Sequence, residues 1–93
     1  MSVVPMPSIA TRSALEAYGE YAQAQIAIEE MAELTVALKH YERGRIGVAA
    51  VQEELADVCI VIAQLVDVFG RDAVVEMAER KQERLMGRIA EGR

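Results

Sequence analysis

Residues 53–69 read EELADVCIVIAQLVDVF, and this stretch decides the fold of the chain. Its apolar side chains recur every three or four residues, the spacing that a helix places along one side. From position 58 to position 63 the helix is apolar around most of its circumference, which indicates a central place or a subunit interface. Gly70 follows the stretch, so we expect a helix from about Val48 to Phe69.

The remaining sequence predicts three more helices and no strand. Pro5 and Pro7 indicate an irregular tail over residues 1–8. The expected helices run from a cap at Ser8 or Thr11 to Gly19, from about Glu20 to Tyr41, and from about Asp72 to Ala90. Because the connections are short, neighbouring helices should be antiparallel. Residues 1–93 are therefore expected to form a single all-α domain, an antiparallel bundle of about four helices.

Composition predicts a small protein that associates with copies of itself. The chain has 93 residues, of which 53% are hydrophobic. A domain of this size buries only about 60–65% of its unfolded surface on its own, so the apolar excess favours a homodimer or homotetramer. The single Cys59 excludes a disulfide within the chain, and its apolar surroundings predict a place in the core.

The net charge and the hydrophobic segments of the chain argue against nucleic acids and membranes as partners. The net charge of −5 argues against a nucleic-acid-binding surface, which would carry a basic stripe with aromatic residues. The N-terminus has neither the basic flank nor the apolar core of a signal peptide, and the apolar run of residues 58–63 is too short to cross a membrane. We therefore expect a cytoplasmic protein with no membrane partner.

Acidic residues interrupt the apolar sides of the second and third helices. Helical geometry places Glu30 inside the apolar arc of its helix, and Glu54 inside that of the next. Glu33 and Asp57 border the same arcs, one turn further along. Burying several carboxylates together is unfavourable unless a cation lies between them. These four residues are therefore the predicted ligands of a divalent metal ion.

The acidic residues also allow three interpretations that involve no magnesium site. Most acidic clusters are solvated helix faces, although two pairs on apolar stripes make that interpretation weaker. A non-enzymatic helical interaction module would account for the apolar excess, but it gives Glu30 and Glu54 no role. A ferritin-like di-iron protein requires two E-x-x-H pairs, and His40 is the only histidine.

Basic and aromatic residues provide further candidates. On the fourth helix, Lys81 and Arg84 follow one flank of the apolar side, where they can contact phosphate oxygens. The alternative is that their stems cover apolar surface while their charged ends stay in water. If a nucleobase is bound, the tyrosines and His40 are the side chains available for stacking.

The two acidic motifs, EEMAE at residues 29–33 and ELAD at residues 54–57, are separated by twenty residues. This pattern resembles the E-E-x-x-E … E-x-x-D signature of the MazG-like all-α nucleoside triphosphate pyrophosphohydrolases, and the similarity extends from about Tyr18 to Arg88. The resemblance implies that Glu30, Glu33, Glu54 and Asp57 bind Mg²⁺. It also implies cleavage between the α- and β-phosphates. Larger members carry a tryptophan-containing loop, whereas this chain has no Trp and is similar to short members from phages and mobile elements.

The chemistry of phosphoanhydride cleavage assigns roles to the remaining candidates. Four carboxylates exceed what one Mg²⁺ needs, which indicates two or more ions when substrate is bound; Mn²⁺ is the expected substitute. Either Glu29 or Glu33 orients the attacking water, and the sequence leaves this choice open. Lys81 is the candidate catalytic cation. The candidate substrate-binding residues are Lys81, Arg84, Gln23 and Tyr41.

Overall fold

A computed structural model of the chain describes residues 2–92 and contains four helices in this range. They are α1 (Ile9–Tyr18), α2 (Glu20–Glu42), α3 (Val48–Phe69) and α4 (Arg71–Ala90). The described residues contain no strand. The all-α prediction and its four helices are confirmed, with boundaries that differ by about one residue. The described part of the tail, residues 2–8, is irregular as expected.

Both residues proposed as the first cap act together at the start of α1. The Thr11 backbone N–H donates to the Ser8 hydroxyl oxygen at 3.1 Å, and the Ser8 backbone N–H donates to Thr11 Oγ1 at 2.8 Å. This reciprocal pair satisfies backbone donors that the first turn of a helix otherwise leaves unpaired. Helix α1 therefore begins at Ile9, directly after Ser8.

Single glycines join two of the helix pairs. Gly19 lies between α1 and α2 with a φ of 87°, and Gly70 lies between α3 and α4 with a φ of 109°. Residues other than glycine are strained at such positive φ values, because their Cβ atom clashes with the backbone. These glycines let the chain change direction within one residue, which explains why the sequence places them at the helix ends.

The most extensive helix contact is between α2 and α3, which are joined by the turn at residues 43–47. Helix α1 packs against both of them. Among the described helices, α4 packs against α3 alone, and none of its residues is buried. The molecule is thus an α2–α3 hairpin that carries α1 on its side and α4 as an arm.

The buried core is formed mainly by small side chains: Val4, Ala27, Ala37, Val61, Ala63 and Val66. Helical spacing places Ile26, Met31 and Leu38 on the apolar arc of α2, but in the structure all three are exposed. The prediction that Cys59 lies in the core is wrong, since its side chain is exposed. These four side chains are exposed for the same reason, because the other helices of the chain cover only one side of α2 and α3.

The N-terminal tail is attached to the end of α3 by Arg71. The Arg71 guanidinium donates to the carbonyl oxygen of Pro5 at 2.7 Å, to that of Ala63 at 3.2 Å and to Asp67 Oδ1 at 2.7 Å. Val4 in the tail is buried, with 8% of its surface exposed. One side chain therefore connects the tail, α3 and the start of α4.

We expect Arg71→Met to lower the free energy of unfolding by about 1–3 kcal/mol, because hydrogen bonds to a charged group contribute more than neutral ones. Urea denaturation followed by circular dichroism measures this change. Arg80→Met is the matched control, since the ion pair of Arg80 with Glu76 is largely exposed and should contribute little. Equal losses in the two variants would show that Arg71 does not hold the tail in place.

Candidate metal centre

Three carboxylates converge where α2 and α3 face each other. One side-chain oxygen each from Glu30, Glu33 and Glu54 lies within 4.8 Å of the other two. Glu30 and Glu33 are three residues apart on α2, so they lie one turn from each other on the same side. Glu54 reaches them from α3. The α2–α3 hairpin thus brings together three of the four predicted metal ligands.

Two of these carboxylates are partly withdrawn from water, and each has an oxygen without a hydrogen-bonding partner. Glu30 and Glu54 are half-buried, whereas Glu33 is exposed. Within residues 2–92, Oε2 of Glu30 and Oε2 of Glu54 are buried atoms that accept no hydrogen bond. Buried carboxylate oxygens are normally paired or bound to a metal ion. These two oxygens are therefore suited to bind a cation.

The electrostatics of the site oppose ionisation of the same two residues. Loss of hydration raises the pKa of Glu30, and the negative charges of Glu33, Asp57 and Glu54 raise it further. Loss of hydration is also the main cause that raises the pKa of Glu54, followed by the charges of Glu33 and Asp57. Either a proton or a metal cation relieves this repulsion. Carboxylate oxygens are hard ligands, which prefer hard divalent cations.

Asp57, the fourth predicted ligand, lies at the edge of the site. It is exposed and is not among the three converging residues, although its charge raises the pKa of Glu30 and of Glu54. Glu29 and Glu53 are exposed as well, because they point toward the polar sides of their helices.

The other predicted residues differ in burial and in the helix that carries them. Lys81 and Arg84 are exposed on α4. Tyr41 is 48% exposed near the end of α2. Gln23 is buried, two turns before Glu30, which corresponds to about 10 Å along the helix.

A cavity of about 440 Å³ opens beside the carboxylates. It extends between α2 and α3 toward their connecting turn. Its lining residues are Ala32, Glu33, Val36, Ala37, His40, Ile46, Ala50 and Glu54. Among the non-acidic lining residues, His40 alone was a candidate from the sequence, as a side chain available for stacking on a nucleobase. Helical periodicity did not predict the cavity, because it depends on which small residues of two helices face each other.

Comparison of the chain with protein-family models, with curated proteins and with solved structures finds no match. In the described part of the chain, no helix combines the length and the apolar character needed to cross a membrane.

Proposed function

We propose that the protein is a Mg²⁺-dependent nucleoside triphosphate pyrophosphohydrolase that converts nucleoside triphosphates to monophosphates and pyrophosphate. The observation that carries this proposal is the convergence of Glu30, Glu33 and Glu54, two of which have buried oxygens without a hydrogen bond. The resemblance of the two acidic motifs to MazG-like enzymes supports the reaction type. A role in clearing the cytoplasmic nucleotide pool would fit this activity.

The residues present fit the proposed cofactor and chemistry. Glu30, Glu33 and Glu54 would hold Mg²⁺, with Asp57 completing the set at the edge of the site. When bound, Mg²⁺ supplies neutralisation of phosphate charge, on which phosphoanhydride cleavage mainly depends. Glu29 or Glu33 then acts as the base that orients the attacking water. The half-buried positions of Glu30 and Glu54 limit the hydration that would otherwise weaken cation binding.

The test is to incubate the protein with each nucleoside triphosphate and Mg²⁺, and to separate the products by anion-exchange chromatography. We expect nucleoside monophosphate and pyrophosphate in equal amounts, and no turnover when EDTA replaces the metal. Nucleoside diphosphate with orthophosphate would indicate a different hydrolase. The absence of turnover with every triphosphate would contradict the proposal.

A non-enzymatic interaction module remains the second candidate, because large apolar side chains of α4 are exposed. Met77, Leu85, Met86 and Ile89 have between 52% and 65% of their surface exposed. Such a module needs no metal, so its stability and association should not respond to Mg²⁺. A metal-dependent rise in melting temperature therefore favours the enzyme.

We expect the protein to sediment as a dimer or tetramer. The radius of gyration is 15.7 Å, whereas a compact domain of 93 residues has about 12 Å. An extended molecule with an apolar α4 arm gains buried surface by packing against a second copy. Analytical ultracentrifugation at micromolar concentration measures this directly. A folded species of 10.2 kDa would contradict the prediction.

We expect Lys81→Ala to lower kcat/KM by about ten- to a thousandfold, the range of one to a few charge-assisted contacts with phosphate. Metal binding should be retained, because Lys81 is not a ligand. Arg80→Ala is the matched control, since the neighbouring Arg80 pairs with Glu76 on the surface of the same helix. Equal kinetics in the Lys81 variant and the parent would remove Lys81 from the substrate site.

A further inference from the structure

We infer that the cavity between α2 and α3 holds the base of the nucleotide, and that His40 is the side chain that reads the edge of that base. This inference rests on the proposed function and adds to it the site of substrate discrimination. It assigns a role to an apolar cavity that phosphate chemistry does not use.

The cavity is continuous with the metal centre. Glu33 and Glu54 belong both to the converging carboxylates and to the cavity lining. A nucleotide whose phosphates lie at the metal centre can therefore extend its sugar and base directly into the cavity. His40 lines the cavity two turns after Glu33 on α2, which corresponds to about 10 Å along the helix. A sugar and a base can bridge this span.

The chemistry of the lining supports a flat, mostly apolar ligand. Apart from the two glutamates at one end, the lining side chains are those of alanine, valine, isoleucine and one histidine. The small side chains of Ala32, Ala37 and Ala50 leave space between the helices. Ligand sites of about 300–1,000 Å³ combine such apolar walls with a few polar groups that fix orientation. The imidazole of His40 offers one donor and one acceptor in its neutral form.

Half-burial makes His40 suitable for this role. It is half-buried near the end of α2, so its imidazole is partly shielded from water while it remains accessible from the cavity. Beyond the two glutamates at the metal end, His40 is the hydrogen-bonding side chain of the lining, so it discriminates bases by the pattern on one edge. Substrates that leave the imidazole unpaired should bind less tightly.

A metal-independent binding experiment tests the inference separately from the enzymatic activity. The ¹⁵N-labelled protein is titrated with adenosine, guanosine, cytidine, uridine and thymidine at millimolar concentrations. We expect at least one nucleoside to shift the amide signals of Ala32, Val36 and Ala50, and His40→Phe to reduce the differences between nucleosides. Shifts confined to other residues, or no shifts at all, would overturn the inference.

A matched pair of variants tests whether nucleosides bind in the cavity. Ala50→Leu fills it from α3, whereas Ala49→Leu places the same side chain on the exposed neighbouring position. The first should weaken nucleoside binding at least tenfold, and the second should leave it unchanged. Inorganic tripolyphosphate with Mg²⁺ should bind both variants equally, because it does not enter the cavity. Equal nucleoside binding by the two variants would contradict the assignment.

The outcomes separate this inference from the proposed function. If nucleosides shift the amide signals of the cavity residues but no triphosphate is hydrolysed, the base site is supported and the pyrophosphohydrolase activity is rejected. If triphosphates are hydrolysed but nucleosides do not shift these signals, the proposed activity is supported and the base must bind elsewhere. If a second copy of the chain covers the cavity instead, Ala50→Leu should change the sedimentation coefficient while nucleosides leave the spectrum unaltered, and the inference then fails.

Discussion

Glu54→Gln is expected to reduce Mg²⁺-dependent triphosphate hydrolysis to the uncatalysed background. The substitution preserves the size and shape of the side chain but removes the negative charge that α3 contributes to the converging carboxylates. The buried Oε2 of Glu54 accepts no hydrogen bond from the residues that the structure describes. Such an oxygen is suited to bind a cation, and a neutral amide would not replace that interaction. Glu30→Gln should have the same effect from the α2 side.

Steady-state kinetics with saturating Mg²⁺ measures these losses, and circular dichroism establishes that the variants remain folded. Asp57→Asn is expected to abolish activity as well, through loss of the ligand at the edge of the site. Glu53→Gln is the matched control, because Glu53 is exposed beside Glu54 and is not among the converging residues. It should retain nearly full activity. Full activity in the Glu30 or Glu54 variant would show that the metal centre is misassigned.

The same Glu54→Gln variant should be more stable than the parent when metal is absent. In the folded parent, desolvation and neighbouring negative charges raise the pKa of Glu54 and of Glu30 above the ordinary value of 4.5. Ionised Glu54 is therefore less favourable in the folded chain than in the unfolded chain at neutral pH. Replacing it with a neutral amide removes this unfavourable contribution.

The sign of the pH dependence follows from the same shift. Between pH 4.5 and the raised pKa, the folded state holds protons that the unfolded state has lost. The contribution of Glu30 and Glu54 to stability is thus fully present below pH 4.5 and is lost as the pH rises through the raised pKa. The stability difference between Glu54→Gln and the parent should grow over this window and then become constant.

Melting temperatures measured in EDTA from about pH 4 to about pH 8, a range that spans the carboxylate titration, test this prediction. Glu29→Gln provides the control for a change in net charge, because Glu29 is an exposed neighbour on α2. Mg²⁺ should raise the melting temperature of the parent, since a ligand that binds the folded state stabilises it, and should raise that of Glu54→Gln less. A metal-free Glu54→Gln variant that melts below the parent would mean that the carboxylate stabilises the fold.

The two predictions together describe a site in which function opposes stability. Glu30 and Glu54 are half-buried although loss of hydration and neighbouring negative charges oppose their ionisation. A purely structural helix pair would gain stability from neutral side chains at these positions. The unfavourable arrangement is explained if these residues bind a cation.

Helix positions were predictable from the sequence because they depend on local interactions. The Ser8 cap, the glycines at positions 19 and 70, and the apolar spacing of residues 53–69 each act through hydrogen bonds and side chains only a few residues apart. Helical periodicity also placed Glu30 and Glu54 inside the apolar arcs of their helices, and Glu33 and Asp57 at the borders of those arcs. In the structure, Glu30, Glu33 and Glu54 converge.

The sequence does not predict which helix surfaces are covered, because this depends on how the helices pack. Periodicity marks an apolar side of a helix, but it does not say how much of that side another helix of the same chain covers. For this reason Cys59 was wrongly expected in the core. The exposed place of Asp57, the cavity beside Glu33 and the bond from Arg71 to Pro5 depend likewise on residues far apart in sequence. Local hydrogen bonding determines where each helix begins and ends, whereas the packing of distant side chains determines which groups meet.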